Sequence, residues 1–483
     1  MHGINFEAVK AEEMISKMLM TREKGFYKHV LVLMLPLALQ NVVAFTVSLA
    51  DNLMVGSLGE LALSGVYIAN QLQSILHMLV VGLSAALVVL AAQYWGKRDD
   101  RSVKIIIGIA LRFALGAGVV FLVATLAFPA QIMGFFCDND PAIVAASLEY
   151  LRIIRMTYIF FSITQVLIAS MRCVENVRIG LYISIMTLIV NVSLNWILIF
   201  GNLGAPALGV RGAAIATLTA RILETVVIIL YVAIVDKKLH IRFADLLRFE
   251  AELMKRFFKY GLPVILGDLL WGVNLAAQGW IIGHLGTTAV ASASIANTVF
   301  QVVGVAVFGT AGASAIIIGQ AVGRGDNAKV REYARTLQVI FLIIGLGTGL
   351  VMFLAKDLVP LIYTQMTPDT LKMTIGMLTV LSVTIVGTAY QMSSLTGIVR
   401  AGGSTHFVLV NDLIFVWLIV IPSAALAAFY FKASPVVVFA CLKSDQILKC
   451  LVAVIKVNRF RWIKNLTHTR VIEGKKEVQP LQP

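Results

Sequence analysis

Acids and amides stranded in apolar sequence are the groups of this chain best placed to do chemistry. Asp51 closes the apolar run 30–52 in the stretch LADNLMVGSLG. Asn191 and Asn195 lie one helical turn apart in VNVSLNWIL, and Thr217 and Thr219 follow in AAIATLTA. Residues four apart share a helix face. Two amides, a hydroxyl and a carboxylate from neighbouring helices would together hold a proton or ligate a cation between oxygens, the donor set that hard cations take. Sodium bound by Asp51, Asn191 and Asn195 is one form of this expectation. By themselves the two asparagines would equally serve as interhelical hydrogen bonds.

Four more acids, Glu224, Asp268, Asp412 and Asp445, also fall inside apolar runs. A carboxylate at the centre of a bilayer costs at least ~2.5–3.5 kcal/mol, so each is expected to face the protein interior or a water-filled cavity. Asp268, with Asn274 and Gln278 on the same run, is the candidate for substrate contact or proton relay; a satisfied structural acid is the alternative. Arg221 and Glu224, three apart, are expected to neutralise each other. Lys443, Asp445 and Lys449 are expected to form one internal network. Arg152 and Arg155 have no evident partner, although Arg152 could snorkel to the outer surface.

The chain lacks the patterns of an enzyme. GxxxxGK[ST], HExxH and GxSxG are absent, and His77, His284 and His406 are scattered. No resident cofactor is expected. The four cysteines, Cys137, Cys173, Cys441 and Cys450, form no CxxC and no metal spacing, and read as small apolar residues.

Composition sets the elements that must carry these groups. Hydrophobic residues make up 59% and charged residues 14%, against roughly 45–50% and about 25% in a soluble domain. Mean hydropathy is +0.88. The chain is therefore expected to be an all-α integral membrane protein. A span needs about 20 apolar residues, and twelve such spans are predicted: 30–52, 65–94, 105–128, 144–171, 179–201, 211–235, 257–283, 291–321, 334–355, 371–399, 406–429 and 435–457. The net charge of +14 follows topology and shows no extended basic face for nucleic acid. Lys and Arg gather after even-numbered spans, as in Lys97, Arg98, Arg101 and Lys104, while 53–64, 129–143 and 284–290 have none. This alternation places both termini in the cytoplasm. No signal peptide is evident; residues 6–20, with Phe6, Val9, Ile15, Met18 and Leu19, read as a surface helix or a solvated tail.

The sequence also repeats. PLALQNVVAFTVSLADNLMVGSLG at 36–59 aligns without a gap on PVILGDLLWGVNLAAQGWIIGHLG at 263–286, an offset of 227 residues (263 − 36). Gln93, Gly96 and Asp99 fall on Gln320, Gly323 and Asp326. Two six-helix lobes of the same orientation are expected, related by a pseudo-two-fold axis along the membrane normal, with a site between or within them. The organisation reads as a tail (1–29), an N-lobe (30–235), a basic linker (236–256), a C-lobe (257–457) and a second tail (458–483). Asp51 falls on Gln278, so the repeat keeps the helix and loses the charge. Pro36 and Pro263 occupy the same place in each copy, as tolerated irregularities or as a hinge in the first span of each lobe.

These features resemble the multidrug and toxic compound extrusion (MATE) family over about residues 28 to 465. The resemblance rests on the span 1 stretch through GELALSGV, the boxes AAQYWGKRD and IGQAVGRGD, NVSLNWILIFG with GAPALGVRGAA, and GLPV at span 7. It implies an antiporter that exports organic cations and other amphipathic compounds against protons or sodium. Carried over by residue, it implies an ion site at Asp51, Asn191, Asn195 and Thr217, with Tyr150 of span 4 a weaker match and Pro36 at the bend of span 1. The glutamate and aspartate that one branch carries at the places of Trp271 and near Ala389 are missing; Asp268 lies one turn before Trp271. A lipid-linked oligosaccharide or lipid II flippase of the same superfamily is the alternative. A monomer in the plasma membrane is expected, with small organic cations and lipid as its partners.

Overall fold

The computed structural model describes residues 20–137, 140–363 and 366–467, and they form helices without strands. Ten helices are long and apolar enough to cross a membrane, from Lys24–Gly56 to Thr405–Tyr430. Their flanks expose large apolar side chains such as Leu31, Leu53, Leu350 and Leu418, as expected of surfaces that meet lipid rather than water. The suggested surface helix over 6–20 lies, except for Met20, outside the described residues. Cys137, Cys173, Cys441 and Cys450 are free thiols, and Cys173 is buried.

Three of the twelve predicted spans are not single helices. Span 4 is Pro141–Ile154 followed by Thr157–Cys173, bent by 53°. Arg155 sits at the bend and donates to the Thr125 carbonyl of span 3 at 3.3 Å, while Arg152 is exposed. Span 8 is Thr287–Val303 and Val305–Arg324, meeting at Gly304. Span 12 is two short helices, Pro435–Leu442 and Asp445–Asn458. Lys443 and Ser444 lie at the break between them. Among the described residues this gives nine continuous spans, a tenth in the Val305–Arg324 half of span 8, an eleventh if the bent pair is one span, and a broken, charged segment in place of the twelfth.

The repeat is legible in how helices begin and meet. Asp99 caps the helix that follows it by accepting from the Ser102 amide at 3.1 Å, and Asp326 does the same with the Lys329 amide at 3.0 Å. Such a cap is worth about 1 kcal/mol, which explains why both boxes end in aspartate. Gln93 donates to the Ala401 carbonyl at 2.9 Å, and Gln320 donates to the Cys173 carbonyl at 3.0 Å. Each bond crosses from one lobe to the other. A Cβ at Gly96 would run into the Gln320 carbonyl, and one at Gly323 into the Gln93 carbonyl. The lobes therefore touch backbone to backbone at the end of the bundle that carries the basic loops.

The segment following span 12 is wedged into that same end. Trp462 is fully buried. Asn465 donates to the Val322 carbonyl at 3.1 Å, the Leu466 amide donates to Gln93 at 2.8 Å, and Lys97 donates to the Thr467 carbonyl at 3.3 Å. Arg256 donates to Tyr94 and to the Leu466 carbonyl, at 3.1 and 3.0 Å. Nearby, His29 lies 3.4 Å from Glu175. Burial alone would raise the Glu175 carboxyl, but the His29 contact with the charges of Lys238 and Arg324 holds it below the ordinary range.

Candidate functional site

Span 1 runs unbroken as Lys24–Gly56 with Pro36 buried inside it, and presents Asp51 five residues before its end. Span 5, Arg178–Phe200, brings Asn191 and Asn195 to the same depth on one buried face. Asn195 donates to Asp51 at 2.5 Å and to Asn191 at 3.2 Å. Asn191 donates in turn to the Thr217 hydroxyl of span 6 at 3.3 Å. Tyr150, buried in the first half of span 4, lies against Thr217 and faces Asp51. Four helices thus converge on one carboxylate. Thr219 is not among the groups assembled: it is exposed and its hydroxyl is used on the Ile215 carbonyl of its own helix.

One atom in this cluster is incomplete. The carbonyl oxygen of Asn195 is buried and accepts no hydrogen bond. A buried acceptor left unpaired costs about 1–3 kcal/mol. The nitrogen of the same amide holds the Asp51 carboxylate and the Asn191 oxygen, and Asn191 holds the Thr217 hydroxyl. This is an oxygen-lined place short of a positive group, which a proton carrier or a hard cation would complete. Among the described residues no group of three or more His, Cys, Asp or Glu could hold a metal, so the donors here are mixed amide, hydroxyl and carboxylate.

Arg221 and Glu224 form the expected pair at 2.7 Å. Arg221 also lies 5.4 Å over the ring of Phe161, on which His77 stacks at 5.4 Å. Nothing local in the sequence ties His77 to span 4, so this aromatic contact is silent there.

The C-lobe candidates divide. Asp268 is paired with Arg400 at 3.1 Å, well away from Gln278 along its helix. Gln278 donates to Asn274 at 3.1 Å and accepts from Lys443 at 3.0 Å. The single network expected of Lys443, Asp445 and Lys449 is therefore split. Lys449 lies between Asp412 at 2.8 Å and Asp445 at 3.1 Å, whereas Lys443, placed at the helix break, turns to span 7 instead. Arg172 reaches Gln40 of span 1 at 2.9 Å, as Arg400 reaches Asp268 of span 7. Both arginines close the last turn of a span that ends at the basic loops, a placement visible in the sequence.

Comparison with known proteins agrees with this architecture. A probable multidrug resistance protein NorM of Thermotoga maritima is 24% identical over 448 residues, 92% of this chain and 94% of that protein. A crystal structure of MATE in the bent conformation matches with a TM-score of 0.80 at 20% identity, covering 90% of this chain and 95% of that one. A MOP superfamily transporter from Pyrococcus furiosus, described as having a binding pocket of reverse polarity that suggests a different function, matches with a TM-score of 0.81 at 20% identity, over 92% and 97%. These structural likenesses concern the fold. The MatE family model matches twice, over residues 36–197 and 263–426. As the two matches take in more than half of its length, this membrane protein belongs to the MatE family.

Proposed function

We propose that the chain is a secondary antiporter that exports organic cations and other amphipathic compounds in exchange for protons or sodium ions. One observation carries this reading: Asp51, half-buried at membrane depth, is held by Asn195 beside an unsatisfied oxygen. An intramembrane carboxylate of this kind is a functional group by default. The similarity to proteins named for multidrug resistance supports export of varied compounds.

In this reading the basic end faces the cytoplasm of the cell and is closed. A proton or sodium ion enters from outside and binds at Asp51, Asn191, Asn195 and Thr217. Taking up the ion rearranges the hydrogen bonds that hold span 1 to spans 5 and 6, and the helix yields near Pro36, where proline supplies no backbone donor. Bound compound leaves to the exterior. The lobes then part at Gln93 and Gln320 and release the ion inside. Such a cycle needs only that the ion bind the two states with different affinity. The flippase alternative calls for a basic cavity suited to pyrophosphate, whereas the Asp51 cluster is acidic and amide-rich.

The test is efflux from reconstituted vesicles with imposed proton or sodium gradients. The wild-type protein should move a cationic dye against one of the two gradients, and Asp51→Asn should not while remaining folded. Full gradient-driven efflux by Asp51→Asn would reject this site as the coupling centre.

A further inference from the structure

Asp51 and Gln278 occupy one place in the two repeats, and the structure gives them different surroundings. Asp51 is met by amides and a hydroxyl. Gln278 is met by the ammonium of Lys443 at 3.0 Å. An ammonium offers three donors, and one described side chain takes one of them; the Phe439 ring lies 5.5 Å below. The adjacent acid is committed elsewhere, since Asp445 accepts from Gln446 at 2.8 Å and pairs with Lys449 at 3.1 Å. Among the described residues no carboxylate stands within ion-pair distance of Lys443.

Lys449 shows what a structural lysine looks like in this helix, with its side chain 3% exposed between two carboxylates. Lys443 is different. It is half-buried and sits where span 12 breaks between Leu442 and Asp445. Broken helices at membrane depth are tolerated where protein buries them or a cavity receives them, and in transporters they are common at binding sites. An unneutralised cation there is suited to an anionic ligand group.

We propose that Lys443, with the Gln278 and Asn274 amides, binds the carboxylate of the transported compound, so that the preferred substrates are zwitterionic amphiphiles rather than simple organic cations. This rests on the efflux reading above and names the substrate class within it. The amine end of such a compound suits the acidic N-lobe, and its carboxylate the C-lobe ammonium.

A matched pair of dyes tests the assignment on the full-length protein in phosphatidylcholine nanodiscs. Rhodamine B carries a free carboxylate, and its ethyl ester does not. The wild-type protein should bind rhodamine B about tenfold more tightly than the ester, the scale of one charge-assisted contact. Lys443→Met should erase that preference, so that the two dyes bind the variant equally, and Lys443→Arg should keep it. Equal binding of the two dyes by the wild type, a comparison that needs no variant, would overturn the carboxylate site and leave efflux standing. Loss of the preference on adding phosphatidylglycerol would assign the site to lipid and overturn it as well. If neither dye is bound or exported, the efflux reading itself fails and this inference falls with it.

Discussion

The two lobes descend from one sequence pattern yet treat one position in opposite ways. In the N-lobe, Asp51 is drawn to Asn195 and spans 4, 5 and 6 supply neutral polar groups around it. In the C-lobe, Gln278 is drawn to Lys443 and span 12 breaks to deliver it. Elsewhere the copies agree, down to the aspartate caps and the crossed glutamine bonds. What both copies keep is needed to fold and to close the lobes on each other. What only one copy keeps is free to be functional, and the charged positions belong to this second group.

Exchanging the contrasted residues should give the largest effect. Asp51→Gln should reduce gradient-driven efflux from vesicles by at least ~100-fold, as expected when a charge that couples transport is removed. Adding Gln278→Asp should not restore it, because the new carboxylate would pair with Lys443. Recovery in the double variant would show the lobes to be interchangeable. The shared closure should behave symmetrically instead. Gly96→Ala and Gly323→Ala each push a methyl into a facing carbonyl, and overpacking of this kind costs about 1–3 kcal/mol. Both should lower the melting temperature in detergent by similar amounts; harm from only one would mean that the closed ends are not equivalent.

A comparable effect is expected at the C-lobe acid that the N-lobe lacks. Asp268 and Arg400 are each about a fifth exposed, at 23% and 18%. Asp268→Asn should cost about 1–3 kcal/mol by leaving Arg400 uncompensated, and Asp268→Asn with Arg400→Gln should cost less than either alone. Thermal melts of the three variants decide this. Smallest is the pH effect at Glu175. Its carboxyl is held below the ordinary value of 4.5 in the folded protein, so its stabilising contribution is complete above that value and is lost as pH falls below it. Acidification through this range should lower the melting temperature of the wild type more than that of Glu175→Gln.

The sequence reveals the repeat, the spans and the Asp51 cluster for one physical reason. Each depends on local apolar length, or on polar residues that are costly in lipid and so stand out. Asn191 and Asn195 are four apart on a single helix, so their shared face is readable without knowing what packs against it. The remaining features depend on distant pairing. Hydropathy counts Lys443, Asp445 and Lys449 alike and cannot say that two turn to span 11 or to each other while the third turns to span 7. The breaks in spans 4, 8 and 12 are silent in the sequence because a run of apolar residues reads the same whether its helix is continuous or bent. Asp268 looked available in sequence because its partner, Arg400, is 132 residues away.

The wedge after span 12 makes the closure lopsided. Gln320 is held across the lobes by the Cys173 carbonyl, but Gln93 is held by the Ala401 carbonyl and again by the Leu466 amide. Arg256 fastens the same residue by donating to the Leu466 carbonyl. Parting the lobes therefore takes more bonds on the Gln93 flank than on the Gln320 flank. The split should start beside Gln320 and travel towards Gln93, so that a nearly symmetric body unlocks in a fixed order.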